Sequence, residues 1–149
     1  MMGILRHSTF IKYLDDIVGL GLLPGPRAYP ESVMRNWDKD YVSFEKDPPT
    51  DWLKDNLAML KGKSNCETIA LEFYESRIRK SYKCLDKPNM AANDLCLEPN
   101  PFIPKEELND KVGMYVLAYL GPTDIISLEY LTDECKEMLE NMGYSLDLW

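Results

Sequence analysis

The residues able to act as nucleophiles or as soft metal ligands are few and widely spaced in this sequence. Because the chain contains one histidine, a catalytic Ser–His or Cys–His pair would have to recruit His7 near the N-terminus. No two cysteines are spaced as C-x-x-C and none has a histidine nearby, so the spacing does not predict a zinc site. A disulfide between Cys84 and Cys96 across the intervening loop stays open, the alternative being reduced, buried thiols. The cysteines are Cys66, Cys84, Cys96 and Cys135.

Other kinds of site are not predicted either, because the required spacing is absent or because the residue type is too common to be informative. With 25 acidic residues some carboxylate pair is inevitable, so such pairs carry no information about acid–base catalysis. The glycine-containing stretches 19–21 and 62–64 lack the further glycines of a phosphate-binding loop, and we interpret both as the boundaries of predicted helices. No Asp-x-Asp-x-Asp-Gly calcium loop occurs in the sequence. We therefore predict no cofactor, no metal and no catalytic residue, and a small enzyme with an unrecognised site is the second alternative for function.

The charge of the chain is acidic and uneven. The 149 residues have a formal net charge of −8, and residues 105–149 alone hold ten acids and three bases. Such a surface repels the phosphates of nucleic acids and of anionic lipids. The exception is a basic strip at Arg77, Arg79, Lys80 and Lys83, which we interpret as a solvated face paired with neighbouring acids. The charge therefore predicts protein partners and no nucleic acid.

The sequence predicts no membrane span, because no apolar run approaches the length of about 18 residues that one requires. The apolar stretch 17–23 is short and lies between two aspartates and a Pro-Gly-Pro sequence, which does not fit a secretory signal. We expect an intracellular, cytoplasmic protein. A mitochondrial location is the alternative, since residues 1–14 carry basic side chains and no acid.

The longest stretch that fits a single helix without glycine or proline is 64–85. Ser64 and Glu67 have the spacing of a capping box, in which each side chain bonds to a free backbone N–H at the helix start. The apolar side chains of this stretch would lie on two helical faces about 100° apart. We therefore predict a central helix that packs against more than one neighbour.

The other elements are predicted from apolar periodicity and from the residues that cap helices. The fold class that results is mainly α, a small irregular bundle of about five helices in a single helical domain, 1–149. The alternative is an α+β fold with a β-hairpin at 114–131, because Tyr, Val and Ile are favoured in strands. The further predicted helices are 8–18, 50–62, 104–120 and 122–142, with a short one at 31–37.

Two segments rich in proline, 22–49 and 86–104, are predicted to be extended. They contain bulky aromatic residues that a freely mobile linker seldom carries. Proline restricts the chain before binding, and aromatic rings supply contact area at little conformational cost. The alternative is that these rings pack on the chain's own helices. The predicted partner-binding residues are Tyr29, Trp37, Tyr41, Phe44 and Phe102 of these segments, together with Trp149 of the C-terminal tail.

The sequence therefore favours a non-catalytic protein-interaction protein, a small accessory or adaptor subunit of a larger assembly. The first alternative is an acidic inhibitor or immunity-type protein, or a virus-encoded decoy, that binds a basic protein target. Electrostatic attraction would make such an association fast and sensitive to salt. The acids that this alternative places on the binding surface are Glu129, Asp133, Glu134, Glu137 and Glu140.

Overall fold

The fold is built on one β-sheet whose strands come from widely separated parts of the chain. The computed structural model describes residues 3–23, 41–49, 57–58, 61–62, 66–78, 81–84, 102–103, 113–120, 123–147 and 149. The strands among them are β1 (Ile4–Phe10), β2 (Tyr41–Lys46), β3 (Thr68–Tyr74), β4 (Ser81–Cys84), β5 (Phe102–Ile103) and β6 (Met114–Tyr119). Their order in the sheet is β3-β1-β2-β6-β4-β5, and all of these pairings are antiparallel.

Strand β3 illustrates why these residues form a sheet. Ile69, Leu71 and Phe73 are buried, whereas the residues between them are partly exposed. This period of two matches a strand, in which successive side chains point to opposite faces. The whole of β3 pairs with β1, from Ile4 opposite Tyr74 to Phe10 opposite Thr68.

The described residues form two α-helices with defined ends, α1 (Leu14–Leu20) and α2 (Asp133–Asn141). Thr132 is the N-cap of α2, because its Oγ1 accepts a hydrogen bond from the backbone N–H of Cys135 at 3.2 Å. Gly143 follows the helix with a φ of +100°, a conformation that glycine adopts without strain. Capping at both ends therefore defines α2.

The hydrophobic core lies on one side of the sheet, where the inward side chains of the strands meet the helices. Phe44 and Phe73 pack edge to face in it, with ring centroids 5.8 Å apart. The C-terminal segment closes the core, since Nε1 of Trp149 donates to the Val18 carbonyl at 2.8 Å. Other buried members are Leu5, Leu14, Ile17, Leu71, Val116, Ile126, Leu128 and Leu139.

The prediction of a mainly α, helical-bundle domain is wrong. Residues 64–85, predicted as the central helix, contain β3 and β4. The reason lies in the period of the apolar residues. An alternating strand pattern, when it is projected onto a helix, spreads its apolar residues over two faces, as this stretch does. Glu67 makes no helical start, and its carbonyl instead accepts the N–H of Ile11 at 2.9 Å, which extends the pairing of β3 with β1.

Two other predicted helices also contain strands. In 8–18, strand β1 runs to Phe10, and α1 begins only at Leu14. In 104–120, the described residues from Met114 form β6. Both strands pair with partners that are distant in the sequence, so tertiary contacts override the local helical pattern.

The remaining predicted helices agree better with the structure. Helix α2 lies within the predicted 122–142, although it starts later than predicted. Residues 57–58 and 61–62 are helical and belong to the predicted 50–62, whose other members lie outside the described part of the chain. The short helix predicted at 31–37 lies outside it as well.

The α+β alternative names the observed class, but its hairpin at 114–131 is not formed. Strand β6 pairs with β2 and β4 instead. The segment after β6 contributes isolated bridges, Ile126 to Leu22 and Leu131 to Phe73. Long-range pairing, not the intervening turn, therefore positions this region.

The two proline-rich segments each contribute a strand where they are described. Residues 41–46 of the first form β2, and residues 102–103 of the second form β5. Residues 24–40 and 86–101 lie outside the described part. A single domain spanning 1–149 stays a prediction.

Candidate functional site

A cleft of about 510 Å³ lies between β3 and the beginning of α2. The segment before α2 forms it, because Leu131 bridges to Phe73 and the N–H of Thr132 donates to the Glu72 carbonyl at 2.9 Å. The chain thus extends the sheet briefly at the outer edge of β3 and then turns into the helix. The cleft is lined by Ile4, Ala70, Glu72, Tyr74, Thr132, Glu134, Cys135 and Met138.

One wall of the cleft consists of the alternate residues of β3 that do not enter the core. Ala70, Glu72 and Tyr74 are partly exposed, and Ile4 of β1 lies opposite Tyr74 in the register. These residues share the side of the sheet that faces away from the core. The same alternation that builds the core therefore also builds this wall.

The other wall comes from α2 and its N-cap. Thr132, Cys135 and Met138 are spaced three residues apart, which places them on neighbouring positions of one helical face. Thr132 and Cys135 are buried and Met138 is partly buried, whereas Glu134 is exposed. The cleft therefore has a largely apolar helix wall with a carboxylate at its rim.

Arg6 pairs with Glu45 and not with Glu72, so Glu72 has no ion pair among the residues that the structure describes. In the sheet register, Arg6 lies between Glu72 of β3 and Glu45 of β2. Its guanidinium donates to both carboxylate oxygens of Glu45, Nε to Oε1 at 3.2 Å and Nη2 to Oε2 at 3.3 Å. Within the described ranges no ion pair joins Arg6 to Glu72. Glu72 and Glu134 thus give the cleft two carboxylates.

Cys135 is not a nucleophile of the activated kind. Burial raises the pKa of its thiol, a hydrogen bond with the Glu72 backbone lowers it in part, and the Glu72 charge raises it further. A raised pKa reduces the fraction of reactive thiolate at neutral pH.

Tyr74 joins the two walls at one end of the cleft. Its hydroxyl oxygen accepts a long hydrogen bond of 3.5 Å from the backbone N–H of Asp133. The guanidinium carbon of Arg77 lies 5.0 Å from the centre of the Tyr74 ring, a cation–π arrangement. Arg77 follows β3 and does not line the cleft.

Helix α2 carries an acidic face beside the cleft. Asp133, Glu137 and Glu140 are exposed and lie on one helical stripe, at spacings of four and three residues. We call these three residues the α2 acidic face. Glu129 before the helix and Glu134 at the cleft are exposed as well. The acids that the sequence assigned to a binding surface are therefore all exposed.

The predicted partner-binding residues lie away from the cleft where they are described. Phe44 is 1% exposed in the core, and Tyr41 is partly exposed, with its ring 5.4 Å from that of Tyr119. Trp149 is partly buried against α1 through its bond to Val18. A role of this set in binding stays a prediction. Tyr29 and Trp37 lie outside the described residues, and of Phe102 the structure describes the backbone in β5.

His7, the histidine that a catalytic pair would require, is bonded to the sheet. Its Nδ1 lies 2.7 Å from the Ser43 carbonyl oxygen, and its ring packs edge to face on Phe44. Burial lowers the pKa of His7, and the bond to Ser43 opposes this in part. His7 does not line the cleft.

Sequence reasoning missed the cleft, although it had assigned several of its residues to other roles. The sequence places Glu72 in the predicted central helix 64–85 and Met138 in the predicted helix 122–142. The signal that was available is the alternation along 68–74, which separates a core set from a cleft set. No sequence signal indicates that Cys135 approaches Glu72.

Comparisons with protein-family models, with curated proteins and with solved structures find no match for this chain. Over the described ranges, none of the helices has the length and apolar character needed to cross a lipid bilayer. In the same ranges no three His, Cys, Asp or Glu side chains are grouped in a way that would hold a metal ion.

Proposed function

We propose that this protein is a non-catalytic protein-interaction protein, a small accessory or adaptor subunit that binds a basic partner protein. The observation that carries the proposal is the α2 acidic face beside a cleft that contains two further carboxylates. A surface with this charge attracts basic proteins over distances of about 8 Å at physiological salt. It repels nucleic acids for the same reason.

The net charge of −8 adds to this local field. Complementary charge chiefly accelerates association, and it also disfavours partners with acidic surfaces. Binding is therefore expected to be fast and to weaken as the ionic strength rises.

An acidic inhibitor, an immunity-type protein or a virus-encoded decoy would use the same surface. These functions differ from that of an adaptor in their effect on the partner, whose activity an inhibitor or decoy blocks. An intracellular, cytoplasmic location belongs to the proposal, with a mitochondrial one as the alternative. The thiol of Cys135, which forms no disulfide among the described residues, is compatible with a reducing compartment.

The proposal is tested by capturing partners from an extract of the source cells on the immobilised full chain. Three forms are compared: the wild type, the triple variant Asp133→Asn, Glu137→Gln and Glu140→Gln, and a control triple variant. The control changes Asp16→Asn, Glu67→Gln and Asp147→Asn, which are exposed acids outside α2 and alter the net charge equally. Captured proteins are identified and quantified by mass spectrometry, and their association rates are measured at low and high salt.

We expect a basic protein to bind to the wild type and to the control, and to associate about tenfold more slowly with the α2 variant at low salt. High salt should remove most of that difference. If the α2 variant captures the same proteins at the same rates as the control, the proposed function is wrong.

A further inference from the structure

The outer edge of β3 has an open backbone position inside the cleft. The backbone groups of the odd-numbered residues of β3 form hydrogen bonds with β1, as the bond from Ile11 N–H to the Glu67 carbonyl shows. The backbone groups of the even-numbered residues therefore point away from β1, towards the outer edge. The outward carbonyl of Glu72 is occupied by Thr132. The N–H and C=O of Ala70 form no hydrogen bond within the part of the chain that the structure describes. Ala70 is therefore able to pair with an added strand.

A residue paired with Ala70 would direct its side chain into the cleft. In an antiparallel pair, residues directly opposite each other project to the same face of the sheet. Ala70 and Glu72 share the face that lines the cleft, and Glu134 approaches it from α2. The side chain of an added residue would therefore meet two carboxylates.

The walls of the cleft fit a long side chain with a charged end. Ile4 and Met138 offer apolar surface for an aliphatic stem, and the carboxylates of Glu72 and Glu134 accept hydrogen bonds from a cationic group. Lysine and arginine combine these two properties. An acidic side chain would be repelled by these carboxylates. A purely apolar side chain would remove them from water without forming a hydrogen bond to them.

We infer that the cleft between β3 and α2 binds a lysine or arginine side chain of an extended segment of the partner protein, whose main chain pairs with Ala70. This inference rests on the proposed function, since it specifies which part of a basic partner the protein takes. The edge already accepts an antiparallel segment of its own chain at Leu131 and Thr132. Strand addition at an edge derives its affinity from main-chain bonds and its specificity from alternate side-chain pockets.

The test is a titration of the full chain with blocked peptides, followed by amide chemical shifts in ¹⁵N-resolved NMR spectra. The probes are Ac-Ser-Val-Arg-Val-Ser-NH₂, the same peptide with citrulline in place of arginine, and agmatine, which has the guanidinium group but no peptide main chain. We expect the arginine peptide to shift the amide signals of Ala70, Glu72 and Cys135. Citrulline, a neutral analogue of the same shape, should bind about tenfold more weakly because a charge-assisted hydrogen bond is lost.

Two cleft variants test the assigned residues. Glu72→Gln and Glu134→Gln keep the side-chain shape and should each weaken binding of the arginine peptide, by about tenfold for Glu72 and less for the exposed Glu134. Glu67→Gln removes a charge near the start of β3, outside the cleft lining, and should leave the affinity unchanged. Equal binding of the arginine and citrulline peptides, or shifts confined to residues outside the cleft, would overturn the inference. Binding of agmatine as tight as that of the peptide would assign the cleft to a free small cation and overturn it too.

The failure of this inference is distinguishable from the failure of the proposed function. If a basic protein is captured through the α2 acidic face but no peptide reaches the cleft, the inference is wrong and the proposed function stands. If the arginine peptide binds in the cleft but the α2 variant captures the same proteins as its control, the proposed function is wrong.

Discussion

Strand β3 carries two sets of side chains in opposite environments. Leu71 and Phe73 are fully buried in the core, whereas Ala70 and Glu72 line a cleft that is open to solvent. The sets alternate, so a one-residue shift in the pairing of β3 with β1 would exchange them. Stability should therefore depend on one set and the proposed binding on the other, so substitutions in the two sets should have different effects.

The largest expected effect is that of Phe73→Ala in the core set. Phe73 is completely buried and packs on Phe44. Removing its ring leaves a cavity, and we expect the free energy of unfolding to fall by about 3–5 kcal/mol. Urea denaturation followed by circular dichroism measures this. A loss below about 1 kcal/mol would contradict the division between the two sets.

The next largest effect tests the two glutamates that flank Arg6 in the sheet. Glu45→Ala leaves the buried guanidinium of Arg6 without the carboxylate that pairs with it, and we expect a loss of about 3 kcal/mol. Glu72→Ala is the matched control, since Glu72 lies on the other side of Arg6 but makes no ion pair with it among the described residues. Equal losses from the two changes, measured by urea denaturation, would show that Arg6 depends on both carboxylates.

A double variant separates charge from packing at this position. Replacing both Arg6 and Glu45 by methionine removes the buried pair without leaving an isolated charge. We expect it to be more stable than Glu45→Ala, because a buried ion pair replaced by apolar groups is often neutral for stability. If the double variant is less stable than Glu45→Ala, the loss in the single variant does not come from an unpaired guanidinium.

The two walls of the cleft differ in how far the sequence predicted them. Helix α2 has local signals at both ends, since Thr132 caps its start and Gly143 follows its end. The sequence accordingly predicts a helix that ends at residue 142, but it places the start at 122 and misses the cap at Thr132. Strand β3 has no such signals. Its apolar residues fit a helix with two faces as well as a strand with one, and only pairing with β1 decides between them.

Local sequence patterns do not predict the cleft itself, for a related reason. Glu72 and Thr132 are far apart in the sequence, and the hydrogen bond between their backbones brings α2 against β3. Backbone groups carry no residue-specific signal, so composition and spacing do not reveal such a bond. The exposure of the acids of α2 was predictable, because charged side chains on a helix point into solvent without the help of a tertiary contact.

A smaller effect is expected from Thr132→Ala in the helix wall. The change removes the oxygen that accepts the Cys135 N–H, and loss of an N-cap of this kind lowers the free energy of unfolding by about 1 kcal/mol. Thr123→Ala, at an exposed position before this segment, is the control and should change stability little. Thermal denaturation compares the two. If they are equally destabilising, the cap does not define the start of α2.

The smallest effect on stability should come from Glu72→Gln, which also tests the comparison most directly. The substitution preserves shape and removes only a carboxylate charge that has no ion-pair partner within the described residues. We expect the free energy of unfolding to change by less than about 0.5 kcal/mol, while binding of the arginine peptide weakens. A loss of more than about 2 kcal/mol in urea denaturation would instead make Glu72 a structural partner of the buried Arg6–Glu45 pair. In that case its carboxylate would be committed to the sheet, and the alternate residues of β3 would not divide stability from binding.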